Sequence, residues 1–109
     1  MSVITIEEIK KLAKPHPHRG KMVRLENDNY FLSIVGGDSG LYGDFIEDFE
    51  IAIIDKKTDD FVTKFFFPDI SDDVMAYMPA EIVEEAAELL FGKTGFRVFE
   101  INSVVDGQN

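Results

Sequence analysis

Cysteine is absent from this chain of 109 residues, and so is any long apolar run. Without cysteine there is no disulfide, no thiolate metal ligand and no thiol nucleophile. No run approaches the roughly 18 apolar residues that cross a bilayer, and the N-terminus lacks the basic and apolar regions of a secretion signal. We therefore expect a cytoplasmic protein without membrane contact, folded as one domain over residues 1–109, with a frayed tail at about 106–109.

Basic side chains are scarce: 11 Lys and Arg stand against 21 Asp and Glu, which gives a net charge of −10. The excess is uneven, because residues 1–26 hold six basic groups and three acids, a net of +3, which leaves −13 on residues 27–109. Such a charge repels nucleic-acid phosphates and anionic lipids, so direct binding to either is disfavoured. The same charge favours attraction to basic surfaces.

Phosphate-binding motifs are also missing. No Gly-x-Gly-x-x-Gly follows a predicted strand. The sequence GKTG at 92–95 follows a predicted helix, whereas phosphate is bound by amide groups at a helix N-terminus. We therefore predict no cofactor.

Two helices are predicted from apolar periodicity. The sequence TIEE at 5–8 is a capping box, so a helix is expected over 6–14, ended by Pro15 and Pro17. A second helix is expected over 79–91 and ends at Gly92. Its apolar stripe is assigned to Ile82, Val83, Ala86, Leu89 and Leu90.

Alternating apolar residues predict the strands. We place strands near 22–26, 30–35, 48–55 and 61–67, and a last one from residue 96. The segment from Ser71 to Tyr77 is predicted as a short helical turn. The order α-β-β-β-β-α-β predicts a single α+β domain, with an antiparallel β-meander of four to five strands flanked by an N-terminal and a C-terminal helix.

The glycine-rich stretch GGDSGLYGDFIEDFE, residues 36–50, raises the question of a serine nucleophile. Its first half resembles the Gly-Asp-Ser-Gly turn of trypsin-like proteases over four residues, which implies a nucleophilic Ser39. The glycine and proline that follow in those proteases are replaced here by Leu41 and Tyr42, and those proteases are far longer. We interpret the stretch as a turn that needs the positive φ of glycine, with no catalytic residue.

A metal site is the alternative that two histidines and a group of carboxylates suggest. His16 and His18 alternate on an extended segment, so both rings point the same way. The acids around Asp38 and Asp44 do not have the spacing of a calcium loop, and zinc needs three or four ligands. We therefore predict no metal. A small-ligand or metal-binding protein, or a minor enzyme, that uses the Gly36–Asp48 loop with His16 or His18 stays open as an alternative.

Acidic residues form the group that we favour as a partner-binding site. On the second helix, four glutamates recur at spacings of three and four, and no Lys or Arg lies among them. A face that serves only solubility more often alternates charge. From Asp38 to Glu88 the chain has 15 acids against three lysines. The residues predicted to bind a partner are Asp44, Glu47, Asp48, Glu50, Asp69, Asp72, Asp73, Glu81, Glu84, Glu85 and Glu88.

Aromatic residues are abundant, with ten Phe and three Tyr. Either some of them lie exposed at a binding surface, or the sheet is covered on both faces, one by each helix. Together with the acids they predict a non-enzymatic module that binds a protein with a basic surface. In composition, though in no motif, the chain is similar to small acidic inhibitor and accessory proteins, including the nucleic-acid mimics of phages and mobile elements.

Overall fold

The computed structural model describes residues 3–15, 20–37 and 44–99. Its elements, in chain order, are α1 (Ile6–Leu12), β1 (Lys14–Pro15), β2 (Lys21–Glu26), β3 (Tyr30–Gly36), β4 (Asp48–Asp55), α2 (Thr63–Phe66), β5 (Met75–Pro79), α3 (Ala80–Phe91) and β6 (Arg97–Val98). The predicted α+β class with an antiparallel sheet is confirmed. The expectations for His16, His18, Ser39 and the tail at 106–109 fall outside the described residues.

Four strands form the main part of the sheet. β2, β3, β4 and β5 are neighbours in that order, and each pair is antiparallel. The other edge of β2 is shared by two short strands. β1 pairs with its start, at Lys14 opposite Met22, and β6 pairs with its end, at Val98 opposite Leu25. The predicted meander is thus confirmed, although its fourth strand is a different segment from the one expected.

The hydrophobic core lies on one face of this sheet. Alternate residues of the central strands point into it, and the buried ones are Val23, Leu25, Leu32, Ile34, Phe49, Ile51 and Ile53. α1 adds Ile6 and Ile9 to the same cluster, and α3 adds Val83 and Phe91. Each such side chain contributes about 1.5–3 kcal/mol when it is fully buried. Both helices therefore pack on the same face, and the alternative of one helix on each face is wrong.

The capping box at the start of α1 is confirmed. The Thr5 hydroxyl accepts from the Glu8 amide at 3.3 Å, and the Glu8 carboxylate accepts from the Thr5 amide at 3.1 Å. The helix ends at Leu12 instead of residue 14, because Lys14 precedes a proline and takes an extended conformation. Lys14 and Pro15 can therefore pair with β2.

A buried asparagine fixes the turn between β2 and β3. The side-chain oxygen of Asn27 accepts from the amides of Asn29 and Tyr30, each at 2.9 Å. Its side-chain nitrogen donates to the Leu90 carbonyl at 3.0 Å and to the Thr94 hydroxyl at 3.1 Å. These four bonds satisfy the amide group completely, and they join the hairpin to the C-terminal end of α3. The predicted turn is confirmed, but this second role of Asn27 was not predicted.

The predicted strand over 61–67 is wrong. Phe61 forms an isolated bridge to β4, opposite Ile54, and the Val62 amide donates to the Ile53 carbonyl at 2.8 Å. The chain then forms the single turn of α2. The reason is Thr63, which is fully buried and whose hydroxyl accepts from the Ile53 amide at 2.9 Å. A side-chain oxygen thus replaces the strand carbonyl that would have continued the ladder.

The predicted helical turn from Ser71 to Tyr77 is also wrong, because this segment leads into strand β5. Met75 is buried and lies opposite Ile51, further along the same edge of β4 that Phe61 contacts. A register shift between Phe49 and Ile51 interrupts the ladder, and Tyr77 has a positive φ of 56°. Sheet pairing has outweighed the local capping signal.

The limits of α3 agree with the prediction to within one residue. The helix begins at Ala80, with Pro79 at its N-cap, and ends at Phe91. Gly92 follows as predicted, but it keeps a right-handed φ of −59°. Gly95 instead takes the positive φ of 74°, and its amide donates to the Phe91 carbonyl at 2.8 Å.

Two further details of the C-terminal region differ from the prediction. Leu89, assigned to the apolar stripe of α3, is 51% exposed, whereas Ala87 and Phe91 are buried in its place. The last strand, expected from residue 96, is described only as Arg97–Val98. The part of the prediction that covers 100–101 lies outside the described residues.

Replacing the buried hydroxyl should show how much it stabilises the fold. Thr63→Val keeps the shape of the side chain but leaves the Ile53 amide without an acceptor, so we expect a loss of about 1–3 kcal/mol in the free energy of unfolding. Thr63→Ser keeps the hydroxyl and should lose only about 0.8 kcal/mol for the missing methyl group. Urea denaturation of both variants measures the difference. Equal losses would show that the hydroxyl does not hold the end of β4.

Candidate partner-binding surface

The eleven acids predicted to bind a partner, called the acidic surface below, come from four places: the loop before β4, β4 itself, the connection before β5, and α3. Pairing of β4 with β5 places Asp48 opposite Pro79, beside the first turn of α3, which contains Glu81. At the other end of β5, Asp72 and Asp73 come just before the strand begins. The sheet thus brings acids from the loop before β4 close to the start of α3.

The close ion pairs of the described residues join the end of β2 and the turn after it to Lys56, which follows β4, and to Arg97 on β6. Lys56 Nζ is 2.6 Å from the Glu26 carboxylate, and the Arg97 guanidinium is 3.4 Å from Asp28 and 4.0 Å from Glu26. Within residues 3–15, 20–37 and 44–99, no lysine or arginine lies within 4.0 Å of a carboxylate of the acidic surface. The described cations therefore leave its charge uncompensated at short range.

Asp44 holds the loop before β4 through its backbone. One oxygen of its carboxylate accepts from the amides of Ile46, Glu47 and Asp48 at 2.8, 2.9 and 3.2 Å. The Asp48 carboxylate accepts in return from the Asp44 amide at 2.9 Å. These amide donors, Ile46 first, lower the pKa of Asp44 to about 2. Asp44 therefore remains ionised well below neutral pH, and one of its oxygens already serves the loop.

The described part of the glycine-rich stretch is explained by packing. Phe45 is buried at a positive φ of 60°, and its ring lies 5.2 Å from that of Phe49. A side chain at Gly36 would place its Cβ 2.8 Å from the Phe45 nitrogen. Gly37 has a φ of 123°, and a Cβ there would lie 2.5 Å from the Gly20 Cα. Both glycines are therefore needed for close backbone approach, and Gly37 also for its conformation.

Glu84 has a structural role that its place in the acidic series did not reveal. Its carboxylate accepts from the Ile6 amide at 2.8 Å. That amide belongs to the first turn of α1, where amides have no helical partner and negative charge is favourable. Glu84 therefore connects α3 to α1, and its carboxylate is partly buried in that contact.

The remaining glutamates of α3 form an exposed stripe. Glu81, Glu85 and Glu88 are all exposed and follow one another at spacings of four and three. Leu89 is four residues after Glu85, so it lies on the same side of the helix. We call these four residues the α3 stripe. It combines three carboxylates with one exposed apolar side chain.

The other members of the acidic surface are placed less closely together. Asp69, Asp72 and Asp73 are exposed in the connection between α2 and β5, where the Asp72 carboxylate accepts from the Asp73 amide at 2.8 Å. Glu47 is exposed in the loop before β4, and Glu50 is partly buried within that strand. None of these five carboxylates shares a hydrogen bond with the α3 stripe within the described ranges.

Five large apolar side chains of the described residues are exposed, and the acidic pattern did not include them: Ile46, Phe61, Phe65, Tyr77 and Leu89. Phe65 on α2 is the most exposed of them, at 79%, and Leu89 is the one on α3. A signal for Phe65 was present in the sequence, since three successive phenylalanines cannot all face one core. The sequence held no such signal for Leu89, because its spacing fits the buried side of α3 as well as the exposed side. Only the packing of α1 and the sheet against α3 decides which side Leu89 lies on.

The loop alternative has one structural feature of its own. A cavity of about 370 Å³ is lined by Gly20, Lys21, Gly37, Asp44, Phe45 and Ile46. It places the Lys21 side chain, at the start of β2, and the Asp44 carboxylate, near the end of the Gly36–Asp48 loop, beside one space. His16 and His18, the other members of this alternative, lie outside the described residues.

Comparison with protein-family models, with curated proteins and with solved structures finds no match to this chain. Among the residues that the structure describes, no three His, Asp or Glu side chains are grouped so that they could hold a metal ion. Within the same ranges, no helix has the length and apolar character needed to cross a membrane.

The loop bonds of Asp44 predict an acid-dependent loss of stability. Its folded pKa of about 2 is below the ordinary value of 3.8, so its ionised form stabilises the fold above about pH 4, and this contribution is lost as the pH falls towards about 2. Asp44→Asn keeps an acceptor oxygen but no charge. The stability gap between wild type and variant, measured by urea denaturation, should therefore be largest near neutral pH and shrink in acid. A gap that stays constant across this range would contradict the role of the charge.

The contact between α3 and α1 predicts that Glu84 differs from its neighbours. Glu84→Ala removes the acceptor of the Ile6 amide and should cost about 0.5–2 kcal/mol, as loss of a helix cap does. Glu84→Gln keeps an acceptor and should cost less. Glu85→Ala, at an exposed position of the same helix, is the control and should change stability by less than about 0.5 kcal/mol. Thermal unfolding of the three variants should rank them in that order, and equal effects at 84 and 85 would contradict the contact.

Proposed function

We propose that this protein is a small, non-enzymatic, cytoplasmic module that binds the basic surface of another protein through the acidic surface. The observation that carries the proposal is the separation of charge. The described ion pairs join Lys56 and Arg97 to Glu26 and Asp28, while the carboxylates around β5 and α3 have no described cation within 4.0 Å. Uncompensated charge of one sign on one part of a protein attracts and orients a partner of opposite sign.

The α3 stripe is the part of this surface best suited to contact. Its three glutamates are exposed on one helix, which holds them on a rigid support. Leu89 adds an apolar group that a partner can bury, and interfaces commonly combine such a group with a polar rim. Charge then governs how fast the partner arrives, whereas burial of Leu89 governs how slowly it leaves.

A basic surface that normally binds phosphates is the kind of partner that this arrangement fits. Carboxylates placed along a helix can occupy positions that a nucleic-acid backbone would take, and binding would then block the partner's groove. The function that follows is that of an inhibitor or accessory protein. The compositional similarity to nucleic-acid mimics supports this reading, as does the net charge of −10.

A small-ligand protein that uses the Gly36–Asp48 loop is the second candidate, and the cavity beside Lys21 favours it. We prefer the partner-binding proposal because the Asp44 carboxylate in that cavity already accepts three loop amides. One of its oxygens is thereby committed to the loop.

Neutralising the α3 stripe should impair binding without harming the fold. In a variant with Glu81→Gln, Glu85→Gln and Glu88→Gln, relief of like-charge pairs should raise stability by about 0.2–0.5 kcal/mol for each pair. Association with a basic partner, captured at low salt and then purified, should slow by about tenfold at low salt. The dependence of the association rate on salt should also become weaker. Biolayer interferometry over a salt series measures both effects.

Two variants serve as controls for this experiment. Glu7→Gln with Glu8→Gln removes two acids from α1, where the chain carries an excess of positive charge, and glutamine still completes the capping box. Its association rate should stay close to that of wild type. Leu89→Ala should speed dissociation and leave association almost unchanged. If the triple glutamine variant associates as fast as wild type at every salt concentration, the acidic surface serves only solubility.

A further inference from the structure

The face of the sheet opposite the core, called the outer face below, carries an unusual arrangement around Arg24. In the strand register, Arg24 lies opposite Ser33, and Ser33 lies opposite Ala52. The neighbouring row contains Phe31, between Glu26 and Ile54. The apolar members of these two rows do not belong to the core cluster, and α1 and α3 both pack on the other face. This outer face is therefore separate from the α3 stripe.

Two phenylalanine rings hold the Arg24 side chain in place. The guanidinium carbon lies 5.2 Å from the centre of the Phe31 ring and 5.9 Å from that of Phe99. The two rings meet edge to face, with their centres 5.1 Å apart. Both contacts are within the range of a cation–π interaction. The backbone supports them, because the Phe99 amide donates to the Arg24 carbonyl at 2.8 Å.

Hydrogen-bond acceptors for Arg24 are missing from the described residues. Its Nε is buried and has no partner, and no described carboxylate lies within 4.0 Å of the guanidinium. The two other cations of this region are paired, Lys56 with Glu26 and Arg97 with Asp28. Burial lowers the pKa of Arg24, and the charge of Asp59 opposes that effect without forming an ion pair. Of the two arginines that the structure describes, Arg97 is paired, whereas Arg24 is held between two rings, is partly desolvated and has no described anion within 4.0 Å.

We propose that the outer face binds a carboxylate side chain of a partner protein through Arg24, with the rings of Phe31 and Phe99 as the apolar wall of the site. The guanidinium is planar and offers parallel donors that match a carboxylate in a bidentate pair. Because Nε is covered, the two terminal nitrogens are the donors that such a pair would use. The aromatic contacts fix the plane of the group, so less freedom is lost when the anion binds.

Charge and shape favour a protein carboxylate over other anions. Phosphates and nucleic acids carry more negative charge, so the field of a protein with a net charge of −10 repels them more strongly than it repels a single carboxylate. Arg24, Phe31 and Ser33 are partly exposed on a sheet face, whereas small ligands are usually held in concave sites. Arginine and aromatic residues together are also typical of the central contacts of protein interfaces. An aspartate or glutamate beside an apolar residue is thus the expected occupant.

The test uses the full-length protein and a blocked tripeptide, acetyl-Phe-Asp-Leu-amide, with acetyl-Phe-Asn-Leu-amide as the uncharged control. The Nε–H signal of Arg24 in a nitrogen–proton correlation spectrum reports on the site itself. We expect a saturable shift of this signal with the aspartate peptide. The asparagine peptide should bind wild type at least about tenfold more weakly than the aspartate peptide does. The aspartate peptide should bind Arg24→Lys more weakly than wild type by the same factor, and this titration is followed through backbone amides of β2 and β3. Arg97→Lys, at an exposed arginine that already has a carboxylate partner, should leave the affinity unchanged.

Each outcome decides for or against the site. Equal binding by the two peptides, or by Arg24→Lys and wild type, would overturn it. Tighter binding of sodium acetate or inorganic phosphate than of the aspartate peptide would overturn the assignment to a protein partner. The backbone spectrum of Arg24→Lys shows whether the variant is folded. If it is not, Phe99→Leu replaces it, and this variant should weaken the aspartate peptide severalfold because the wall that holds the guanidinium is lost.

Discussion

Packing of α1 and α3 on the same face of the sheet is the constraint on which the rest of the structure depends. It commits alternate residues of β2, β3 and β4 to one core and leaves the residues between them on the outer face. It also fixes the rotation of α3, since Val83 and Phe91 must point towards the sheet. The position of every glutamate on that helix follows from this rotation. Glu84 is turned towards α1, and the other three are turned towards solvent.

The ion pairs of the described residues involve no member of the acidic surface. Lys56, just after β4, and Arg97, on β6, are paired with Glu26 at the end of β2 and with Asp28 in the turn after it. The acids around β5 and α3 have no described cation at short range, and exposed pairs would in any case contribute little stability. For Glu81, Glu85 and Glu88, clustering therefore offers no evident gain to the fold, and like charges at helical spacing weaken a helix slightly. An arrangement that costs stability is more readily understood if it serves binding.

Elements defined by local chemistry could be predicted, and those decided by competition for the sheet could not. The capping box of α1, the β2–β3 turn and the limits of β4 were all readable from short patterns. The segment 61–67 has a strand-like composition, but the Thr63 hydroxyl accepts from the Ile53 amide, which is the donor that a strand carbonyl would need. Likewise, the acids could be identified as a group, yet the bond from the Ile6 amide to Glu84 joins residues far apart in the chain. Such contacts depend on how the helices pack, which no local pattern specifies.

Carboxyl-group footprinting of the protein, alone and bound to a captured basic partner, tests the central claim most directly. The method labels accessible Asp and Glu side chains and reports each position separately. If the acidic surface is the contact, labelling of Glu81, Glu85 and Glu88 should fall strongly on binding, while labelling of Glu7 should not change. Protection of Glu7 instead, or equal labelling of every carboxylate in the free and bound protein, would contradict the account.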